Sequence, residues 1–140
     1  MSDRYFQYLR AKAERDKICP PGAVPLILGA HEQHTAFVSA EHFTFLSRWK
    51  WSFLVNSCGV VYGRRKTSFE GVVKTVLLHN EILLHCLSQP RPSPKHTGDH
   101  IDHNPLNCCG WNLQWLTPRD QNLRQARHVL RPEIHDIPFD

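Results

Sequence analysis

The amino-acid sequence predicts an α+β fold: a small N-terminal antiparallel sheet with short helices, followed by a C-terminal strand–loop–strand–helix segment. Short apolar runs bounded by Gly, Pro and Asn fill the N-terminal half, as is typical of antiparallel strands. The proline-rich stretch 89–95 then favours an extended linker, and beyond it two strand patterns precede a helix start. We therefore divide the chain into an N-terminal helix with linker, a small α+β half, the C-terminal segment and a tail: residues 1–22, 23–88, 89–132 and 133–140.

The composition is that of one compact domain with an excess of positive charge. With 140 residues, 41% of them hydrophobic, the chain can bury a single core. Lys and Arg number 17 against 13 Asp and Glu, and the 10 His are counted as neutral in the net charge of +4. This balance favours a polyanionic partner such as nucleic acid. The 5 Cys form no C-x-x-C pair, so we expect reduced thiols.

No segment of the sequence predicts membrane insertion. A run of about 18 apolar residues is missing, and the opening MSDRYFQYLR has no apolar signal core. We therefore expect a soluble, cytoplasmic protein.

The first predicted elements are a helix and a pair of strands. Residues 3–17 are rich in helix formers and predict a short basic helix that packs on the body. The stretch 19–22 (CPPG) ends this helix, because two prolines deny helical hydrogen bonds. Apolar runs at 24–28 and 35–38 predict two strands joined by a polar turn, and Pro25 favours an edge position for the first strand.

A short helix and a hairpin follow. Ser39 is a candidate N-cap for a helix in which Phe43, Leu46 and Trp49 recur at helical spacing. The runs KWSFLV and VVYG are separated by Asn-Ser-Cys-Gly. They predict a hairpin, because Asn and Gly accommodate the positive φ that tight turns require.

A basic cluster, Gly63-Arg64-Arg65-Lys66, comes directly after the hairpin. We interpret it as a loop at the tip of the sheet, before another strand at 72–78. Such a cluster can grip phosphates through charge attraction, although a merely solvated loop is an equally good interpretation.

The N-terminal half ends in a predicted helix at residues 79–87. Its inward face is expected to carry Ile82, Leu83 and Cys86. His79 is interpreted as a packing or surface residue rather than a metal ligand, because it belongs to no cluster with ligand spacing.

The C-terminal segment combines two strand patterns with a capped helix. Residues 99–104 predict a strand and the start of a loop, with Ile101 as the inward anchor. Residues 112–117 predict the partner strand of an antiparallel ribbon. Thr117 as N-cap, followed by Pro118 at the first helical position, predicts a helix that runs to about residue 130.

Asp99 and His100 are the candidates for chemistry in this segment. A carboxylate supplies a hard oxygen ligand and a His titrates near neutral pH, which is the combination that metal-assisted hydrolysis needs. The neighbouring residues have simpler interpretations. Asp102 is expected to stabilise the loop, and Trp111 and Trp115 are expected in the core. A zinc site that includes Cys108-Cys109 is disfavoured, because vicinal Cys rarely converge on one ion.

These motifs together resemble a known nuclease family. GDHIDHNPLN, then NLQWLT from Asn112, then a helix with Gln121 and Asn122, is similar to the HNH motif of ββα-metal endonucleases, in the form seen in phage-encoded and homing endonucleases. The resemblance covers residues 95–128 closely and extends more loosely from about Val24. It implies a metal-dependent endonuclease of a bacterial or phage-infected cell that nicks or cuts double-stranded DNA with Mg²⁺ or Mn²⁺.

The resemblance also implies a role for each residue of the motif. Asp99 would be a metal ligand, and His100 the general base that activates a water, so that the rate rises with pH across the neutral range. Asn112 would fix the loop and orient the His100 ring. The last ligand stays open between Gln121, at the family's Asn or His position, and Asn122 beside it, since adjacent helical residues point about 100° apart.

Two other functions remain open at this point. Gln121 motivates the hypothesis of a DNA-binding protein with a degenerate, inactive HNH site. An RNA-directed nuclease is weaker, because no base-stacking platform is identified in the sequence. Contacts with DNA are expected from basic residues of both halves: Arg64, Arg65, Lys66, His103, Arg119, Arg124 and Arg127.

Overall fold

The computed structural model describes residues 17–123 and, before them, Arg4, Gln7, Arg10, Ala11, Glu14 and Asp16. These six isolated positions are helical, which agrees with the helix predicted at 3–17. The predicted DNA contacts Arg124 and Arg127 lie outside the described residues, and so does the tail.

The first sheet joins the two halves of the chain. Strands β1 (Ala23–Leu28) and β2 (His34–Ser39) are antiparallel, and the short strand β7 (Asn107–Cys108) pairs in parallel with β2. Strand β1 lies at the edge of this sheet, as Pro25 predicts. Because β7 comes from the segment 89–132, that segment and the N-terminal half share a sheet.

The second sheet is an antiparallel meander of β3 (Ser52–Val55), β4 (Val61–Phe69) and β5 (Val72–Leu77). The predicted hairpin between β3 and β4 is confirmed. The Asn56 Oδ1 atom accepts the backbone N–H groups of Cys58 and Val60, and Gly59 has a φ of 82°. The interpretation of residues 63–66 as a loop is wrong, because β4 extends through them and its partner strand follows Gly71.

The third sheet is the predicted ribbon of β6 (Thr97–His100) and β8 (Leu113–Leu116). A single 3₁₀ turn, Gly110–Asn112, leads into β8. Residues 118–123 are helical and form the described part of the C-terminal helix. The N-cap prediction is confirmed, since the Asp120 N–H group donates to Thr117 Oγ1 at 3.3 Å.

A central helix packs between the sheets. It consists of an α-helical turn, Leu78–Glu81, and a π-helical turn, Ile82–Cys86. Its fully buried apolar side chains meet others from the first sheet and from the ribbon in one core: Leu26, Leu28, Val38, Leu46, Trp51, Leu78, Ile82, Leu83 and Leu113. None of the described helices is both long enough and apolar enough to cross a membrane.

Four expectations about single residues are corrected. Ile101 is 43% exposed and Trp111 is 60% exposed, so neither is a core residue. Phe43 is also exposed, in a helix that is a 3₁₀ turn (Ala40–His42) followed by Phe43–Leu46. Ser39 occupies the N-cap position but makes no side-chain capping hydrogen bond; its hydroxyl oxygen instead accepts the Gly110 N–H group at 2.9 Å. These residues are placed by tertiary contacts that local patterns do not encode.

Candidate active site

The predicted acid, imidazole and amide line one cleft. This cleft of about 220 Å³ lies where the ribbon, the C-terminal helix and the β3–β4 hairpin meet. Strand β6 contributes Asp99 and His100, and the C-terminal helix contributes Gln121. The other lining residues are Val60, Tyr62, Gly98, His103 and Pro105.

Asp99 is held by its neighbour across the ribbon. Asp99 and Gln114 are cross-strand partners, and the Gln114 Nε2 atom donates to Asp99 Oδ2 at 2.9 Å. Directly opposed residues of an antiparallel pair lie on the same face. The register of the ribbon therefore fixes the direction of the carboxylate, which is half-buried at the wall of the cleft.

His100 is packed among other rings. Its side chain is 6% exposed, and its ring centroid lies 4.8 Å from that of His79 and 6.2 Å from that of Tyr62. The Nε2 atom lies 3.6 Å from Cys108 Sγ. Burial, and secondly the nearby His79, hold the pKa of His100 well below its ordinary value of 6.5. The imidazole is therefore neutral at neutral pH, and the predicted rise of rate with pH moves below the neutral range.

Asn112 organises the loop between the two strands of the ribbon. It is fully buried; its Nδ2 atom donates to Asp102 Oδ1 at 2.9 Å and to the Asn107 carbonyl oxygen at 2.8 Å, and its Oδ1 atom accepts the Asp102 N–H group. These contacts agree with the predicted loop-fixing role. The orienting role stays a prediction: the hydrogen bonds of the Asn112 side chain go to Asp102 and Asn107, and the ring neighbours of His100 are His79 and Tyr62.

Asp102 is the acceptor at the centre of the same loop. In addition to Asn112, it accepts the Asn104 N–H group at 2.8 Å and the Asn107 Nδ2 atom at 2.8 Å. The expectation that Asp102 stabilises the loop is therefore confirmed. Asp102 is itself exposed, but a carboxylate that accepts from three residues of one loop holds that loop in one conformation.

Of the two candidates on the C-terminal helix, Gln121 faces the cleft and Asn122 does not. Gln121 is half-buried, and its Nε2 atom lies 3.4 Å from the Gly98 carbonyl oxygen, next to Asp99 in the chain. Asn122 is exposed and is not part of the cleft wall. The rotation of about 100° between adjacent helical residues accounts for the difference.

The basic residues of β4 are divided between the two faces of its sheet. Arg65 forms a 2.7 Å ion pair with Glu81, and the two side chains are only 14% and 5% exposed. Its guanidinium also lies 4.1 Å from the Trp49 ring centroid. Arg65 thus stabilises the fold and does not belong to the exposed loop that the sequence predicted. Arg64 and Lys66 share the opposite face with Tyr62, because side chains alternate along a strand.

Tyr62 and His79 are site residues that the sequence analysis missed. Tyr62 lines the cleft, and burial together with the nearby Cys58 and Asp99 raises its pKa. His79 is 5% exposed, and burial lowers its pKa to about 4. The interpretation of His79 as a packing residue is correct, but no spacing in the sequence links it to His100. Gly98 is the one local signal, since a glycine beside a candidate ligand permits close approach of another element.

The ligand set of the cleft consists of oxygen and nitrogen donors. Among the described residues, no group of three or more His, Cys, Asp or Glu side chains gathers to hold a metal ion. A cation in this cleft would therefore depend on Asp99 together with amide, water or substrate oxygens.

The strand, loop, strand and helix that carry these groups form a ββα unit. An uncharacterized HNH endonuclease of Acanthamoeba polyphaga mimivirus is 28% identical over 111 residues, which cover 79% of this chain and 54% of that protein. The chain thus spans about half the length of this relative. The HNH homing endonuclease I-HmuI, solved in a study of DNA binding and cleavage, is similar over 78% of this chain and 59% of its own, with a TM-score of 0.44 and 20% identity. No family model matches the chain.

The sequence match is to a protein named as an HNH endonuclease, which agrees with the resemblance that the motif shows.

Proposed function

We propose that this protein is an endonuclease that hydrolyses phosphodiester bonds of double-stranded DNA with the help of a divalent metal. One observation carries the proposal: Asp99, His100 and Gln121, from two elements about twenty residues apart in the chain, line the same cleft. Hydrolysis of a phosphodiester needs a base for the attacking water and relief of negative charge on the phosphate and the leaving oxygen. These residue types match those needs.

His100 is the general base in this proposal. A neutral imidazole can take the proton of a water, and the lowered pKa of His100 keeps the ring neutral at physiological pH. The ring is largely buried, so the water meets it from the cleft side only. Asn112 and Asp102 act on this step through the loop, whose network leaves His100 at a fixed place at the end of β6.

The donors of the cleft fit Mg²⁺ or Mn²⁺. The Asp99 carboxylate and the Gln121 side-chain oxygen are hard donors of the kind these ions take, with remaining positions left to water and phosphate. A bound ion would supply charge neutralisation at the leaving oxygen. The half-buried carboxylate is already oriented by Gln114, which favours binding without a large rearrangement.

The DNA surface continues from the cleft along β4. Tyr62 lines the cleft, and Arg64 and Lys66 follow on the same face of the strand. Lys66 is exposed, whereas the Arg64 Nε atom donates to the Phe53 carbonyl oxygen at 3.2 Å. His103 lines the cleft and Arg119 is exposed at the start of the C-terminal helix. Phosphate contacts from these residues would orient the duplex without reading its sequence.

Nicking of supercoiled plasmid in the presence of Mg²⁺ or Mn²⁺ tests the proposal. The wild-type protein is expected to convert the plasmid to open-circular or linear DNA, and chelation by EDTA to stop it. His100→Ala is expected to abolish cleavage while it keeps DNA binding in a gel-shift assay. Equal binding by both proteins, with no cleavage by either, would instead identify a DNA-binding protein with an inactive site.

A further inference from the structure

We propose that His79 is a positioning residue for His100: its ring holds the imidazole of His100 against the cleft. This inference rests on the proposed nuclease function for its kinetic test only. His79 lies in the first turn of the central helix, eighteen positions before the ribbon strand β6 begins. The two rings meet edge to face, with an interplanar angle of 69° and centroids 4.8 Å apart.

The contact between the two rings is buried. Both His side chains are nearly fully buried, and the Tyr62 ring packs against the pair at 6.1 Å from His79 and 6.2 Å from His100. Aromatic rings at these separations restrict one another's rotation. The imidazole of His100 therefore has a single orientation as long as the His79 ring fills its place.

Gly98 shows that His79 also supports the backbone of the strand that carries the site. A Cβ atom at position 98 would overlap the His79 ring and would lie 2.7 Å from Asn80 Oδ1. The central helix thus presses directly on β6 one residue before Asp99. His79 contacts the strand at two points, the backbone at Gly98 and the ring at His100. Together these contacts fix the position of the strand backbone and the rotation of the His100 ring.

This arrangement supplies what the motif itself does not. The Asn112 side-chain amide donates to Asp102 and Asn107, and it thereby holds the loop. The orientation of the His100 ring therefore depends on the rings packed against it. A residue outside the strand–loop–strand–helix unit therefore determines the orientation of the proposed base. The role depends on ring shape and not on a nitrogen of His79.

Steady-state plasmid nicking at varied DNA concentration by three variants tests the proposal. His79→Ala is expected to lower kcat by about tenfold or more, because displacement of a catalytic group by about 1 Å has effects of this size, and to leave the KM for DNA within about twofold. His79→Phe keeps a ring in place and is expected to restore kcat to within about threefold of wild type. Leu83→Ala, a fully buried change in the same helix, controls for loss of stability and is expected to keep wild-type kcat below its Tm.

Several outcomes would overturn the proposal. Wild-type kcat in His79→Ala would show that the ring is dispensable. A phenylalanine variant as slow as the alanine variant would assign the effect to an imidazole nitrogen. An equal loss in Leu83→Ala, at matched folded fraction, would assign it to general softening of the helix.

A structural measurement separates this inference from the proposed function. In a crystal structure of His79→Ala, the His100 ring is expected in a new or second rotamer, and an unchanged single rotamer would overturn the positioning role. This measurement needs no cleavage. A wild-type protein that fails to nick DNA would therefore refute the nuclease proposal and still leave the positioning of His100 decided by the rotamer.

Discussion

Asn112 and Asp102 bind each other twice. The Asn112 Nδ2 atom donates to the Asp102 carboxylate at 2.9 Å, and the Asp102 backbone N–H group donates back to Asn112 Oδ1 at 3.0 Å. A third hydrogen bond ties the same amide to the Asn107 carbonyl oxygen. The middle residue of the motif is thus the buried centre of the loop that joins the two ribbon strands.

Replacement of Asn112 should therefore cost stability before it costs chemistry. Asn112→Ala is expected to lower the free energy of unfolding by about 2 to 3 kcal/mol, since it removes three hydrogen bonds, one of them to the carbonyl oxygen of the buried Asn107. Asn112→Asp is expected to cost more, because a second carboxylate would face Asp102. Urea unfolding measures both. Asn122→Ala, on the exposed side of the C-terminal helix, is the matched control, and a loss there equal to that of Asn112→Ala would contradict the argument.

The identity of the helix ligand can be tested by titration of the metal. Gln121→Ala is expected to raise the Mg²⁺ concentration for half-maximal nicking by about tenfold, because a cleft-facing oxygen donor is lost. Asn122→Ala should change it by less than about twofold, since its side chain is exposed outside the cleft. The reverse result would show that Asn122, and not Gln121, reaches the ion, so that the C-terminal helix is rotated in the active complex.

The two buried imidazoles make stability depend on pH. His79 has a folded-state pKa of about 4 against an ordinary value of 6.5. Between these two pH values, His79 is protonated in the unfolded chain and neutral in the folded chain. Their contribution is fully present above pH 6.5 and is lost as the pH falls towards 4. For His79 alone, the difference of about 2.5 pH units corresponds to about 3 kcal/mol. His100 acts in the same direction.

Urea midpoints at pH 7.5 and pH 4.5 measure this effect. The wild-type protein is expected to lose more stability between the two pH values than His79→Phe, which has no proton to bind at that position. An identical loss in both proteins would assign the pH dependence to other groups.

The neighbouring residues Arg65 and Lys66 of β4 predict opposite phenotypes. Lys66→Gln, on the face that follows Tyr62, should weaken DNA binding and reduce the slope of log K against log salt by about 1. Arg65→Gln should leave that slope alone and destabilise the fold by about 3 kcal/mol or more, because Glu81 would remain buried without its partner. Lys17→Gln, at an exposed residue paired with Glu14, is the charge-matched control for the salt titration.

Local signals predicted the elements of this protein better than the exposure of their residues. Thr117 before Pro118 correctly predicted a helix start, and Asn56 with Gly59 correctly predicted a turn. Each of these signals depends only on backbone geometry within four residues. Ile101 and Trp111 were expected inside because they are large and apolar, yet both are exposed. The exposure of these two side chains depends on the path of the loop between β6 and β8. The hydrogen bonds to Asp102 determine that path.

The candidate site was predictable only where its residues belong to the motif. Asp99 and His100 are adjacent in the sequence, and the choice between Gln121 and Asn122 needed only the rotation of one helix. Tyr62 and His79 come from a hairpin and a helix that precede the motif, and only the packed structure brings Tyr62 to the cleft and His79 against the His100 ring. Arg65 was misplaced because a basic run looks alike in a loop and in a strand of nine residues.

The parallel pairing of β7 with β2 ties the strand–loop–strand–helix unit to the body that precedes it. Phe37 lies opposite Asn107 in this pair of strands, and the Phe37 N–H group donates to the Leu106 carbonyl oxygen at 2.7 Å. A graft of residues 89–132 onto another scaffold would leave this backbone edge open to water. It would also remove Tyr62 and His79, which pack against the His100 ring. Transfer of the proposed activity to another scaffold would therefore require the whole span from β1 onward.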